Sequence, residues 1–169
     1  HQLLAKTVMF EESARVPLLI KAPGLRPRHE HRPVSHIDLA PSLLDLLGVP
    51  IPEVMQGQSL RPVFEGVETA PRDVFIEWNG PDCGVGSLER GGAVPDYLTG
   101  LAAPEQLVAA LRDSVRTVVT PDGWKLNHSP ELGQHELFDL THDPGETQNL
   151  YGQSEQQERV DDMRKRLAG

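Results

Sequence analysis

The sequence predicts an α/β chain in which a buried strand and a helix come first and a small antiparallel sheet with a terminal helix follows. Residues 15–22 form a continuous apolar run, and leucines recur at helical spacing between residues 39 and 47. Residues 73–140 instead contain short β-rich segments separated by turns. The composition is that of an ordered chain, since 38% of the 169 residues are hydrophobic and 24% are charged.

The first predicted strand covers residues 15–22, which read Arg-Val-Pro-Leu-Leu-Ile-Lys-Ala. Such a run is typical of a strand buried on both faces, as in a parallel or mixed sheet, with Pro17 tolerated only near its start. We expect residues 16–22 to belong to a larger sheet whose other strands are mostly missing from this chain. A truncated sheet of this kind would expose strand edges and apolar faces.

The next predicted element is an amphipathic helix over residues 39–47, packed beside this strand. Its leucines share one face, and Gly48 is placed to end the helix. Because proline is tolerated only near a helix start, Pro41 requires a short preceding turn capped by Ser35 or Asp38. A loop-rich stretch follows, and the composition shifts near residues 68–72.

The second part of the chain is predicted to form a sheet of four strands. The segments are residues 73–78, 115–119, 124–127 and 136–140. Short turns between the later strands favour antiparallel pairing. Two amphipathic helices accompany the sheet: one at residues 104–113, and one at the end of the chain with a Ser154–Gln157 capping box and an apolar stripe through Val160 and Met163.

Charge and cysteine content exclude several classes of function. The formal net charge is −9 and the sequence pI is about 5.2, which disfavours nucleic-acid partners and polybasic membrane binding. No apolar run is long enough to span a membrane. Cys83 is the single cysteine, so an internal disulfide and a multi-cysteine zinc site are both excluded.

Three local patterns admit a chemical interpretation, but a structural interpretation is favoured for each. His29 and His31 lie in a polar loop with no third metal ligand indicated, so we expect a solvated loop. Ser35 and Asp38 are better explained by helix capping than by a hydrolase triad, because triad members converge in space from separate segments. Cys83 has no adjacent base and is expected to be an incidental thiol.

Four segments, in order along the chain, resemble one enzyme family. The first contains Lys6, then Phe-Glu-Glu-Ser at residues 10–13, then Arg-Val-Pro-Leu-Leu-Ile at residues 15–20. This order is similar to a segment of the formylglycine-dependent, arylsulfatase-like sulfatases of the alkaline phosphatase superfamily. The other three segments are residues 34–48, 57–60 and 136–150, the last of which includes Asp-Pro-Gly-Glu at 143–146.

The resemblance implies that the chain corresponds to the C-terminal part of a sulfatase. Residues 1–67 would then end the large α/β catalytic domain, an alkaline-phosphatase-like sandwich, and residues 68–169 would form the antiparallel-sheet subdomain. The implied partners are the missing N-terminal part of the same polypeptide and a sulfated small molecule or sugar. The implied cofactors are Ca²⁺ and a formylglycine nucleophile, neither held by this chain alone: Cys83 is followed by Gly-Val-Gly instead of the x-Pro-x-Arg that the family's nucleophile needs, and the family's acidic metal ligands lie upstream.

The resemblance also implies site residues. Lys6 matches the lysine that contacts the sulfate, where its ammonium would steady the ester oxygens, and His1 lies where the family often has a histidine near the site. The loop at residues 79–103 carries six glycines and two prolines and is long for a plain connection. We expect it to face the organic part of the substrate through Asn79, Asp82, Glu89, Arg90 and Tyr97.

Two alternatives to a sulfatase stay open at this point. One is a phosphonate or phosphodiester hydrolase on the same scaffold, which an upstream threonine nucleophile would indicate. The other is a structural fragment without catalytic function. The segment at residues 143–146 is expected to be structural in either case, because Pro144 and Gly145 suit the two central positions of a type II turn.

Overall fold

The computed structural model describes residues 9–79, 103, 105–106, 109 and 113–168, with the side chain of Asn79 excepted. Its packing divides the chain into two units, one formed by His1–Val16 with Phe75–Gly169 and the other by Pro17–Val74. The predicted boundary between residues 67 and 68 refers to the domains of a longer protein and stays a prediction.

The elements follow one another in a simple order. The helices are α1 (Glu11–Ala14), α2 (Leu39–Leu46), α3 (Arg61–Glu65) and α4 (Gln157–Ala168), and the strands are β1 (Val74–Asn79), β2 (Ser114–Val119), β3 (Trp124–His128) and β4 (Glu136–Asp139). Two 3-10 turns, His36–Asp38 and Ser154–Gln156, precede α2 and α4. No helix within the described ranges is long and apolar enough to cross a bilayer.

The four strands form a single sheet in the order β1-β2-β3-β4, which confirms the predicted sheet. The β2/β3 and β3/β4 pairs are antiparallel, and Leu126 lies opposite Val118 on one side and Leu137 on the other. The turn between β2 and β3 places Gly123 at a φ of +86°, a conformation that glycine adopts without strain. All four strands begin and end within one residue of the predicted positions.

A hydrophobic core lies between one face of the sheet and α4. Its buried members are Val118, Leu126, Leu137, Val160 and Met163. The apolar stripe predicted for the terminal helix is therefore confirmed. The predicted capping box is wrong, because Ser154 already lies inside the 3-10 turn that precedes α4, and the Gln157 side chain instead donates to Asp161 at 2.9 Å.

Helix α2 forms as predicted, and residues at its two ends supply the hydrogen bonds that begin and end it. The Ser35 backbone N–H donates to the Asp38 carboxylate at 3.3 Å, and Pro41 occupies the third helical position. At the other end, Val49 N–H donates to the Leu44 carbonyl and Gly48 N–H to the Asp45 carbonyl, with Gly48 at a φ of +70°. This bonding pattern is a Schellman motif, which satisfies the last carbonyls of the helix.

The strand predicted at residues 15–22 is wrong. A strand needs a neighbour for its backbone hydrogen bonds, and no described segment pairs with this run. Leu19 is 89% exposed, and Leu43 and Leu47 of the α2 region are 54% and 76% exposed, so the helix is not packed beside it either. The exposed apolar side chains expected for this part of the chain are present.

Candidate functional site

Most of the predicted site residues lie outside the described residues. Those are His1, Lys6, Asp82, Glu89, Arg90 and Tyr97. Asn79 is the last residue of β1, but its side chain is not described. The predicted loop at residues 79–103 and most of the predicted helix at residues 104–113 also fall outside. The roles assigned to all of these residues stay predictions.

The structure does describe the segment that follows Lys6 in the sequence. Phe10 precedes the single turn of α1, and its carbonyl accepts the backbone N–H groups of Ser13 and Ala14 at 2.8 and 2.9 Å. The Phe10 ring lies against Phe138 of β4, with the ring centroids 6.1 Å apart. This segment therefore contacts the sheet on the face opposite α4.

Three charged side chains meet where this segment reaches the sheet. Lys125 Nζ lies 2.9 Å from Glu11 Oε1 and 2.8 Å from Glu146 Oε1, and the Lys125 side chain has no exposure to solvent. The Glu11 backbone N–H also donates to Glu146 Oε2. We call Glu11, Lys125 and Glu146 the Lys125 cluster. It joins the Phe-Glu-Glu segment to the Asp-Pro-Gly-Glu segment through the sheet.

The alternation of β3 explains why a lysine is buried there. Successive strand residues point to opposite faces, so Leu126 enters the core with α4 while Lys125 points the other way. On that face Lys125 would be solvated, except that residues 10–14 and 143–147 cover it. A buried ammonium needs acceptor oxygens, and the two glutamates supply them.

The turn that delivers Glu146 is not the predicted type II turn. Glu146 N–H donates to the Asp143 carbonyl at 3.1 Å, but the left-handed φ of +51° belongs to Glu146 instead of Gly145. A non-glycine residue in this conformation costs about 1–2 kcal/mol. The cost is offset because the conformation directs the carboxylate at Lys125. The Asp143 carboxylate stabilises the turn by accepting the N–H groups of Thr147 and Gln148, each at 2.8 Å.

Burial dominates the electrostatics of the Lys125 cluster. Loss of hydration raises the pKa of the Glu146 carboxyl above its ordinary value, while contact with Lys125 and the Glu11 N–H act in the opposite direction. With both carboxylates ionised, the cluster holds two negative charges and one positive charge. The cluster is a fixed internal contact, because the Lys125 ammonium is paired with both carboxylates.

An open groove of about 580 Å³ runs beside the cluster. Its lining residues are Phe10, Glu12, Glu136, Phe138, Gly145, Glu146, Thr147 and Asn149. Although three of these are acidic, nowhere in the described ranges do three His, Cys, Asp or Glu side chains come together as a metal site. The groove therefore offers shape and negative charge, but no cation site.

The unit Pro17–Val74 contains a second group of motif residues, centred on Asp38. This carboxylate is fully buried, accepts the Gln58 backbone N–H at 3.0 Å and forms an ion pair with Arg72. Gly57 passes so close that an added Cβ would lie 1.9 Å from the Ile37 carbonyl oxygen. Residues 34–48 and 57–60, which the sequence singled out, are thus joined by a structural contact, in which Asp38 accepts from Gln58 and does not cap α2 with its side chain.

A further polar cluster was not predicted. The His128 and His135 rings stack with centroids 4.5 Å apart, and Tyr151 lies 5.0 Å from His135. Burial lowers the pKa of both histidines, helped by the positive charge of Arg164, while Asp113 opposes this. Arg164 donates to the Tyr151 hydroxyl at 2.7 Å. These residues come from separate segments of the sequence, and no motif or spacing in any of the segments indicates the cluster.

Lys125 and Glu11 were also missed as members of a site, although two signals existed. Lys125 stands between Trp124 and Leu126 in a strand, where a charged residue requires a partner. Glu11 belongs to a segment already noted for its resemblance to a family motif. What the sequence did not indicate was that the two meet.

Comparison with known proteins places the chain beside sulfatases. A family described as N-sulphoglucosamine sulphohydrolase, C-terminal, matches residues 1–81. The uncharacterized sulfatase YidJ of Escherichia coli is 32% identical over 151 residues, which cover 89% of this chain and 25% of that protein. The chain spans about a quarter of the length of the curated relatives it matches.

Solved structures show the same architecture. A 2-O GAG sulfatase is 26% identical with a TM-score of 0.55, over 78% of this chain and 23% of that one. The phosphonate monoester hydrolase of Silicibacter pomeroyi has a TM-score of 0.61 at 23% identity, over 88% of this chain and 27% of that one. The second likeness concerns the fold alone. Together with the observed sheet and terminal helix, these structures confirm the predicted fold class.

Proposed function

We propose that the complete protein hydrolyses sulfate esters, because the chain is similar to the C-terminal part of sulfatases. The observation that supports this most is the family match over residues 1–81, the stretch that contains Lys6. Its substrate is a sulfated small molecule or sugar. The remaining part of the polypeptide, N-terminal to these residues, is the partner that completes the site.

In this proposal Lys6 binds the sulfate group. A lysine ammonium is a compact charge that neutralises sulfate oxygens and the oxygen of the departing alcohol as the S–O bond breaks. His1 is the second candidate for the site, because the family often has a histidine at this place in the sequence. The loop at residues 79–103 contributes to substrate choice through Asn79, Asp82, Glu89, Arg90 and Tyr97.

The described residues do not fit the family's Ca²⁺, and Cys83 does not fit its formylglycine. The described ranges hold no group of three metal-ligating side chains, and Cys83 lacks the sequence context of the nucleophile. We therefore assign both groups to the remainder of the complete protein. The contribution of this chain is to hold the sulfate oxygens and the organic part of the substrate.

A phosphonate or phosphodiester hydrolase is the second candidate, because a sulfatase and a phosphonate monoester hydrolase both share this fold and the fold does not separate the two activities. A structural role without catalysis is the third. One experiment separates the three: the purified complete protein is offered an aryl sulfate, an aryl phosphonate monoester and a phosphodiester with the same leaving group.

A higher kcat/KM for the sulfate ester than for either phosphorus ester is expected. A preference for the phosphonate or the diester would favour the second candidate. No turnover of any of the three esters, in a protein whose thermal unfolding is cooperative, would favour the structural role.

A further inference from the structure

We propose that protonation of His135 opens the turn between β3 and β4, so that this turn is closed at neutral pH and open in acid. The turn covers residues 129–135, and we call it the β3–β4 turn. The contact that titrates is the hydrogen bond from the Ser129 backbone N–H to His135 Nδ1, which joins the two ends of the turn. This proposal does not depend on the reaction that the complete protein performs.

The first argument is the role of His135 Nδ1. The Ser129 N–H donates to this nitrogen at 3.2 Å. An imidazole nitrogen accepts a hydrogen bond only when it carries no proton, so the neutral ring has its proton on Nε2 here. The imidazolium carries a proton on both nitrogens, and its Nδ1–H would face the N–H of Ser129. Protonation of His135 therefore replaces this hydrogen bond with a repulsive contact.

The second argument is what Ser129 holds in place. Its hydroxyl donates to the Asp113 carboxylate, and its carbonyl accepts the Gly133 N–H at 2.9 Å. The Glu131 N–H donates to the same carboxylate at 3.1 Å. Ser129 and Asp113 are 4% and 3% exposed, so these hydrogen bonds lie away from solvent. A movement of Ser129 away from His135 would therefore disturb the other hydrogen bonds of the turn.

The third argument is that β4 has its own attachment, which does not titrate. The Asn149 side chain donates to the His135 carbonyl at 3.1 Å and accepts the Leu137 N–H at 3.0 Å. These bonds involve two backbone groups and a neutral amide, none of which changes its charge between pH 7.5 and 5. We therefore expect the change to be confined to the His135 ring and the β3–β4 turn.

The fourth argument is the positive charge beside the ring. His128 of β3 stacks on His135, with the ring centroids 4.5 Å apart and 11° between the ring planes. Arg164 of α4 adds a permanent positive charge, and its guanidinium donates to the Tyr151 hydroxyl at 2.7 Å. His128 Nδ1 is buried and has no hydrogen-bond partner in the described part of the chain. A charge on His135 is therefore repelled by Arg164 and by any charge on His128.

The fifth argument is the position of the negative charge. The Asp113 carboxylate, just before β2, acts on both histidine rings, but in the closed turn it accepts the Ser129 hydroxyl and the Glu131 N–H. Opening of the turn frees this carboxylate to pair with the imidazolium of His135. Burial, followed by the charge of Arg164, lowers the pKa of His135 below its ordinary 6.5. The closed turn is therefore fully favoured above pH 6.5 and is lost as the pH falls through the lowered pKa.

The test is hydrogen–deuterium exchange of the complete protein between pH 7.5 and 5, followed by mass spectrometry. The uptake is corrected for the intrinsic pH dependence of amide exchange, which gives the protection factor of peptides that cover residues 129–135. We expect this protection factor to fall about 3- to 10-fold over the pH range in the unmutated protein. Peptides from β4 should keep their protection.

His135→Asn separates the acceptor from the titration. The asparagine Oδ1 lies nearly where Nδ1 lies, so it can accept the Ser129 N–H, but it cannot become charged. We expect this variant to keep the protection of the turn at both pH values. His128→Phe leaves His135 able to titrate, so protection should still fall with pH. His142→Asn is the matched control, because the His142 side chain is 83% exposed in the same unit, and it should behave like the unmutated protein.

Three results would overturn the proposal. They are a turn whose protection does not change with pH, a His135→Asn variant that loses protection as the unmutated protein does, and loss of the pH dependence in His128→Phe. If His135→Asn does not fold, the ¹⁵N chemical shifts of the histidine rings in the unmutated protein decide. They should show His135 Nδ1 without a proton at pH 7.5, and a proton on this nitrogen at that pH would contradict the proposed contact.

Discussion

The ammonium of Lys125 and the carboxylate of Glu146 lie 2.8 Å apart, and neither side chain is exposed to solvent. Most ion pairs in the described ranges are of another kind, since Arg166 and Asp162, for example, are 42% and 56% exposed. A buried pair differs because each charge has lost its hydration, and only the attraction of its partner compensates for that loss. The following predictions start from that dependence.

Replacing Lys125 by methionine should strongly destabilise the chain. The two carboxylates of Glu11 and Glu146 would face each other without a counter-ion, and breaking a buried pair costs about 3–5 kcal/mol. Urea denaturation gives the free energy of unfolding. Asp162→Asn, at an exposed pair, should change it by less than about 1 kcal/mol. Equal effects of the two substitutions would show that the burial of Lys125 is not maintained in solution.

Glu146 should make the stability depend on pH in a defined direction. Burial raises its pKa in the folded chain above the ordinary 4.5, so the folded state holds this proton more tightly than the unfolded state. The stability that Glu146 contributes through this proton is therefore fully present below pH 4.5, and it is lost as the pH rises through the raised pKa. Between pH 7 and 4.5, the unmutated chain should gain stability relative to Glu146→Gln. A difference that stays constant with pH would contradict this.

His128 should have the opposite effect in a different pH range. Burial, followed by the charges of His135 and Arg164, lowers its pKa below the ordinary 6.5. The stability it contributes is present above pH 6.5 and is lost as the pH falls through the lowered pKa. His128→Phe keeps a ring stacked on His135 but cannot titrate. Its free energy of unfolding should fall less between pH 7 and 5 than that of the unmutated chain, as measured by denaturation at each pH.

Lys6→Ala should lower kcat/KM of the complete protein for a sulfate ester by about 10²–10³-fold, the range for removing one preorganised donor. The thermal unfolding temperature should not change, because a lysine that faces substrate leaves no buried partner behind. Lys21→Ala is the control, at an exposed lysine of the neighbouring segment. Kinetics equal to those of the control would make Lys6 an ordinary surface residue.

Deleting residues 84–92 from the complete protein should change its preference among sulfate esters. The deletion shortens the loop that we expect to contact the organic part of the substrate and leaves Lys6 in place. Values of KM for an aryl sulfate and a sulfated sugar give the readout. A loop that is only a solvated insertion would leave both KM values and their ratio unchanged.

The sequence predicted well those elements whose formation depends on residues close to one another in the chain. The strands around Leu126 and the helix ended by Gly48 follow from residue patterns within a few positions. The strand at residues 15–22 failed because a strand also needs a neighbour, which a run of apolar residues does not provide by itself. The type II turn failed because the position of the Glu146 carboxylate depends on Lys125, which is distant in sequence, and this shifted the left-handed residue by one place.

The contact between Glu11 and Glu146 also determines when this region can be completed during synthesis. The two residues are 135 positions apart, and β3, with Lys125, is made only shortly before Glu146. At about 5–20 residues per second, translation would take about 7–27 s to reach the second glutamate after the first. During that interval, Phe10 and its neighbours cannot make their contacts with the sheet and with Glu146, and they are exposed to chaperones and to other nascent chains. The segment that contains Phe10 and Glu11 therefore binds to the sheet late in the synthesis and folding of the chain.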